Sequence, residues 1–239
     1  MRVFFLALFV AVCTPLLAQD DLFSLLDAAQ GPLKKAPVAA TFKGTRVVNL
    51  QTNELPASGV GQLIISHRFG TINDRPLYNF LGLDVAQMRL EYSYSPAHWL
   101  NLGLGRSSGN KTYDAFAKVR FLRQKEDGTP LSAVYYHSTN LNSTDFNDGV
   151  NHYFTDRLAF THQLILARKW SDELSFELAP TVVHFNLVAT PNDPNDQYGI
   201  GLGGRYKLTD RMALTAEYFA RMHRPDGFYD PLSVGLDLE

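Results

Sequence analysis

The stretch Arg211-Met212-Ala213-Leu214-Thr215-Ala216-Glu217-Tyr218-Phe219-Ala220-Arg221 decides the fold. Every second residue is apolar: Met212, Leu214, Ala216, Tyr218 and Ala220 fall on one face, and Thr215, Glu217 and Arg221 on the other. A period of two means a β-strand, because successive side chains leave a strand on opposite faces. The pattern recurs along the chain. Tyr198, Ile200, Leu202, Tyr206 and Leu208 oppose Arg205 and Lys207; Ala86, Met88, Leu90, Tyr92 and Tyr94 oppose Gln87, Arg89 and Glu91. Tyr113, Ala115, Ala117, Val119 and Phe121 oppose Asp114, Lys118 and Arg120. A soluble sandwich also alternates, but its strands are usually shorter. These runs last about ten residues, the length that crosses a bilayer at a tilt.

The N-terminus agrees with export. Met1 and Arg2 precede an apolar run over 3–12 and then Pro15-Leu16-Leu17-Ala18-Gln19, which predicts a signal peptide over 1–18 cut after Ala18. Cleavage removes Cys13, the only cysteine, so the mature chain has no disulfide, thiol nucleophile or cysteine metal site. Beyond it no apolar stretch approaches the ~18 residues of a membrane helix. The mean hydropathy is slightly negative, −0.14. A transmembrane barrel reconciles export with low hydropathy, since only alternate residues meet lipid. The net charge of −2 mixes both signs, so nucleic acid is not an expected partner.

Residues 19–58 read as an N-terminal periplasmic segment. Asp20 and Asp21 before Leu22, Phe23, Leu25 and Leu26 predict a short helix, ended by Gly31-Pro32. Residues 34–40 read as a linker and 41–50 as a strand or lead-in. The barrel follows over 59–239, with ten strands expected near 60–70, 85–95, 98–107, 112–123, 131–140, 157–169, 174–188, 198–208, 211–222 and 231–238. Their connections alternate between long, as at 71–84, 141–156 and 189–197, and tight, as at Ser95-Pro96-Ala97, Ser171-Asp172-Glu173 and Thr209-Asp210. That asymmetry is the habit of an outer-membrane barrel, with short periplasmic turns and longer external loops. Phe69, Tyr94, Tyr113, Phe121, Phe160, Tyr198, Tyr206 and Tyr218 sit near strand ends on apolar faces, as interfacial girdles require. The alternation is still running at Asp237-Leu238-Glu239, where such barrels usually end on an aromatic residue that serves as an assembly signal, so at least two further strands are expected.

Particular segments resemble a family of Bacteroidota outer-membrane β-barrels of unknown function. They include 40–49, Ile65-Ser66-His67-Arg68-Phe69-Gly70, Phe80-Leu81-Gly82-Leu83-Asp84, Gly105-Arg106-Ser107-Ser108 with Lys111-Thr112-Tyr113-Asp114, and Ala167-Arg168-Lys169. Residues 191–196, Ala216-Glu217-Tyr218-Phe219 and Leu232-Ser233-Val234-Gly235 continue the likeness, which spans 40–239. The resemblance implies a barrel in the outer membrane, twelve-stranded when complete, and no defined reaction.

The polar faces carry Arg68, Arg89, Glu91, Asp114, Lys118, Arg120, Glu177, Arg205, Lys207, Glu217, Arg221 and Asp237. In a barrel they share one lumen, where facing signs pair across strands. They read either as a structural ion-pair network or as a selectivity lining for small polar solutes, its Arg and Lys excess favouring anions. Ser66-His67-Arg68-Phe69 and Gly105-Arg106-Ser107-Ser108-Gly109 lie near outward strand ends and read as turn chemistry or a gate. Asp145, Asn147, Asp148, Asp193, Asn195 and Asp196 crowd two external loops but miss the calcium-loop spacing, so no metal is expected. His67, His137, His162 and His184 form no His-x-x-x-His pair and no GxSxG accompanies them. Gly103, Gly105, Gly199, Gly201, Gly203 and Gly204 are strand glycines, where a barrel bends or backbone comes close. The expected function is a passive pore or carrier for a small polar solute, non-enzymatic and without cofactor. Its expected partners are outer-membrane lipid and the barrel-assembly machinery. The rival readings are a non-conducting barrel plugged by its own charges and by 19–40, a membrane-embedded hydrolase, and a soluble periplasmic barrel.

Overall fold

Alternation along each strand becomes one antiparallel sheet. The computed structural model describes residues 37–38, 40–69, 77–78, 84, 86–126, 128–146, 149–188, 190, 193–222 and 229–238. The expected signal peptide and short helix lie outside these residues. Ten strands follow one another: β1 (Gly61–Phe69), β2 (Ala86–Ala97), β3 (Leu100–Ser107), β4 (Thr112–Leu122) and β5 (Ser132–Asn142), then β6 (Leu158–Lys169), β7 (Leu174–Phe185), β8 (Asp196–Thr209), β9 (Met212–Arg221) and β10 (Leu232–Leu238). All ten expected strands are present, with ends that differ by a few residues. Their order in the sheet is their order in the chain, an all-β up-and-down arrangement. The sheet is not closed: β1 pairs with β2 and β10 with β9, but not with each other.

Burial runs opposite to that of a soluble protein. On β2, Glu91, Ser93 and Ser95 are buried, while Leu90, Tyr92 and Tyr94 are exposed. On β9, Ala213, Thr215 and Glu217 are buried, while Leu214, Ala216 and Tyr218 are exposed. Large exposed apolar side chains, such as Leu63 at 62 %, Leu104 at 65 % and Val234 at 64 %, stand on one continuous outer face. A polar concave face and an apolar convex one is the pattern of a wall between lipid and a lumen.

Residues 41–55 are the departure from the sequence reading. Expected as a strand or lead-in at 41–50, they contain no strand among the described residues. They fold back on themselves instead, with Arg46 bridged to Gln51, Val47 N donating to Leu50 O at 2.9 Å and Thr52 N to Thr45 O at 3.0 Å. Both legs leave from the tight-turn end of the sheet. Val38 N donates to Gln124 O beside the β4–β5 connection, and Gly59 N to Ser95 O at the β2–β3 turn. The tip therefore points up the concave face, where Leu50 and Leu55 pack on Phe116, Val134, Tyr136, Ile165 and Ala179 from β4 to β7. Phe42 and Val47 pack lower down with Ala167.

Candidate functional site

The inward rows and the folded-back segment hold each other from opposite walls. On the β9 side the Glu217 carboxylate accepts three consecutive backbone N–H groups: Val48 at 3.1 Å, Asn49 at 2.9 Å and Leu50 at 2.8 Å. The Asn49 side chain adds a bond to Oε1 at 2.9 Å. Successive N–H groups turned one way make a small anion nest, and here the protein's own carboxylate fills it. On the β4 side Lys118, 1 % exposed, donates Nζ to the carbonyls of Thr45 at 3.0 Å, Thr52 at 3.1 Å and Glu54 at 3.4 Å. An ammonium buried so deeply is tolerable only when its donors are used. Arg120 donates to Asn53 O at 3.0 Å and lies 3.7 Å from Glu54.

A third wall is an ion-pair chain. Arg46 Nη2 meets Glu91 Oε2 at 2.5 Å, Glu91 also takes Arg89 at 2.9 Å, and Arg89 grips both oxygens of Asp114. The planar guanidinium fork suits that two-point grip. Glycine makes room for it, because a Cβ at Gly105 would press on Arg89 and Asp114. Likewise a Cβ at Gly201 would stand 2.6 Å from Leu50 Cδ1, so this inward glycine is where the inserted segment seats. The sequence reading expected a bend or a close backbone at this strand glycine; what comes close at Gly201 is the Leu50 side chain.

The twelve polar-face charges are thus brought together only in part. Arg89, Glu91, Asp114, Lys118, Arg120 and Glu217 surround residues 45–54. Glu177 is also inward and 4 % exposed, but neither of its oxygens has a hydrogen-bond partner among the described residues. Arg205 Nε lies 3.5 Å from Asp237. Lys207 and Arg221 serve opposite rims. Lys207 bonds Asp210 at 2.7 Å in the β8–β9 turn, holding that carboxyl below its usual range; Arg221 donates to Tyr229 O at 2.7 Å and lies 3.3 Å from Asp230. Charges expected to pair across the wall do so at Arg89–Asp114 and Arg205–Asp237. Lys118, Arg120 and Glu217 turn instead to the inserted segment. Arg46, Asn49 and Leu50 were not among the expected site residues; their inward role has no periodic signal.

Above the tip of the segment, toward the long connections, lies a cup of about 440 Å³. Its floor is Arg46, Asn49 and Gln51, and its wall includes Arg68, Arg89 and Asn140. Arg68 has no hydrogen-bond or ion-pair partner among the described residues, so its charge faces the cup. A cavity of this size, on the order of 300–1,000 Å³, is that of small-molecule sites.

The outer-face histidines stand apart from this lumen. His162 Nδ1 shares a 2.6 Å hydrogen bond with Tyr135, His137 Nε2 lies 3.3 Å from the Thr139 hydroxyl, and His184 Nδ1 lies 2.7 Å from Asp196. Arg106, a suggested gate residue, is on the same outer face and donates to the Tyr113 hydroxyl at 3.2 Å. Among the described residues no group of three or more His, Cys, Asp or Glu is placed to hold a metal ion.

The family described as Membrane bound beta barrel domain (DUF5777) matches the chain over residues 42–239. No curated protein matches the chain.

Proposed function

The chain belongs to that family of membrane-bound β-barrel domains, and from this premise we propose an outer-membrane barrel that its own N-terminal segment holds shut at rest. Residues 41–55 are the stopper, and the cup above them receives a small polar solute from the long-loop side. Transport, on this reading, is carrier-like or gated rather than passive, and no catalysis is involved. The leader at 1–18 exports the chain, and the barrel-assembly machinery inserts it among outer-membrane lipids.

The observation that carries the reading is the two-sided grip on the segment: Glu217 takes its N–H groups and Lys118 its carbonyls. A tether from one wall would leave the segment free to swing from the other; bonds from both walls hold it across the middle. Planar-bilayer recording of the full-length protein tests it. The wild-type protein should show few or no channel events, and a variant lacking 41–55 should show steady stepwise conductance. Equal ohmic conductance from both proteins would refute the stopper. Silence from both would favour the second reading, a non-conducting barrel with a structural or partner-binding role, which the filled lower lumen also supports.

A further inference from the structure

The outer face has a groove where the apolar wall should be continuous. Strand register places Arg168, Phe176, Gly204 and Ala216 in one lateral row across β6 to β9. The next row is filled by Leu166, Leu178, Leu202 and Tyr218. Gly204 and Ala216 carry no bulk, and the missing volume opens a groove of about 630 Å³ whose lining is almost wholly apolar. Arg168 and Trp170 border this groove and also a polar cleft of about 720 Å³ at the β6–β7 turn. The two cavities therefore meet at one cation and one indole.

The charge at that junction is available. The Arg168 guanidinium stacks 4.6 Å over the Trp170 ring and is exposed. It has no carboxylate partner among the described residues, whereas the neighbouring Lys169 is matched by Asp172 at 3.2 Å. Glu126 and Glu173 also border the cleft, and Glu173 accepts from Ser171 Oγ at 2.8 Å. Tryptophan at a strand end marks the interface between headgroups and acyl chains. Arginine binds phosphate in a two-point grip and keeps its charge.

We propose that this wall carries a specific site for one anionic glycerophospholipid, its phosphate at Arg168 and an acyl chain in the groove over Gly204 and Ala216. The site rests on membrane embedding but not on the stopper. A free phosphate would leave the groove empty, and a neutral amphiphile would leave Arg168 unmatched; an anionic phospholipid uses both.

Fluorescence quenching tests it, because the chain has two tryptophans and Trp99→Phe leaves only Trp170. The full chain is placed in vesicles containing bromo-acyl phosphatidylglycerol or bromo-acyl phosphatidylcholine. Trp170 should prefer phosphatidylglycerol by about fivefold, the preference that one surface cation confers. Arg168→Gln should abolish the preference. Gly204→Leu should reduce it by filling the groove; a Cβ at 204 would meet Phe176 at an ordinary 3.5 Å, so the wall is kept. Equal quenching by the two lipids, or a preference that survives Arg168→Gln, would overturn the site and leave ordinary boundary lipid. Quenching by neither lipid would overturn it too and trace the failure to membrane embedding.

Discussion

At the scale of single residues, Glu217 carries the most. One carboxylate holds three successive N–H groups of the inserted segment. Hydrogen bonds to charged groups contribute about 1.5–3 kcal/mol each, though bonds sharing an acceptor do not add in full. Glu217→Gln replaces one oxygen with a donor and should loosen the tip, seen as faster protease cleavage within 45–52 in the detergent-solubilised protein. Unchanged cleavage would mean that the clamp is dispensable. Gly201 offers an independent handle. Gly201→Val would drive a methyl-bearing carbon into Leu50 and should destabilise the protein by about 1–3 kcal/mol, the range for overpacking. Leu50→Ala in the same chain should recover part of the loss. A double-mutant cycle by urea unfolding measures that coupling, and strict additivity would place Leu50 elsewhere.

At the scale of elements, each strand is a two-faced wall, and the faces respond oppositely to the same substitution. Leu104 on β3 is 65 % exposed. In a soluble protein a charge there would be nearly neutral to stability. Facing lipid, Leu104→Arg should cost about 2–4 kcal/mol if the position lies near the midplane, measured by reversible unfolding into urea in the presence of lipid. A change within about 0.5 kcal/mol would contradict the lipid-facing assignment of that row. The inserted segment teaches the complementary lesson. Val47 and Val48 favour a strand locally, yet 41–55 joins no ladder. Its N–H and C=O groups find Glu217 and Lys118 instead, so distant walls, not local propensity, set its conformation.

For the whole molecule, an apolar exterior around a polar, filled interior predicts two distinct behaviours. The folded protein should migrate faster than the heated one on a denaturing gel. Removing 41–55 should expose the buried Lys118 and Glu217 to water and slow refolding or lower resistance to heat, even as it opens conductance. A deletion variant as heat-resistant as the wild-type chain would show that the segment contributes little to the barrel's stability.

The strand count, order and face assignment were legible because they are local: a period of two at 211–221 fixes which side chains share a face, and sheet order followed from alternating connections. The sequence also identified the inward charges, since exclusion from lipid acts on each residue alone. It did not reveal which of them would meet. Arg89 found Asp114 across adjoining walls, but Lys118 and Glu217 met backbone groups more than sixty positions away in the chain. The turn at 45–52 has no periodicity, and its place is set by groups on β2, β4 and β9 that converge only when the sheet curls. The sequence alone determined a wall with a lipid face and a water face. Tertiary structure alone decided that the water face is occupied, because backbone hydrogen bonds and buried charges are satisfied by whatever the fold brings within about 3 Å.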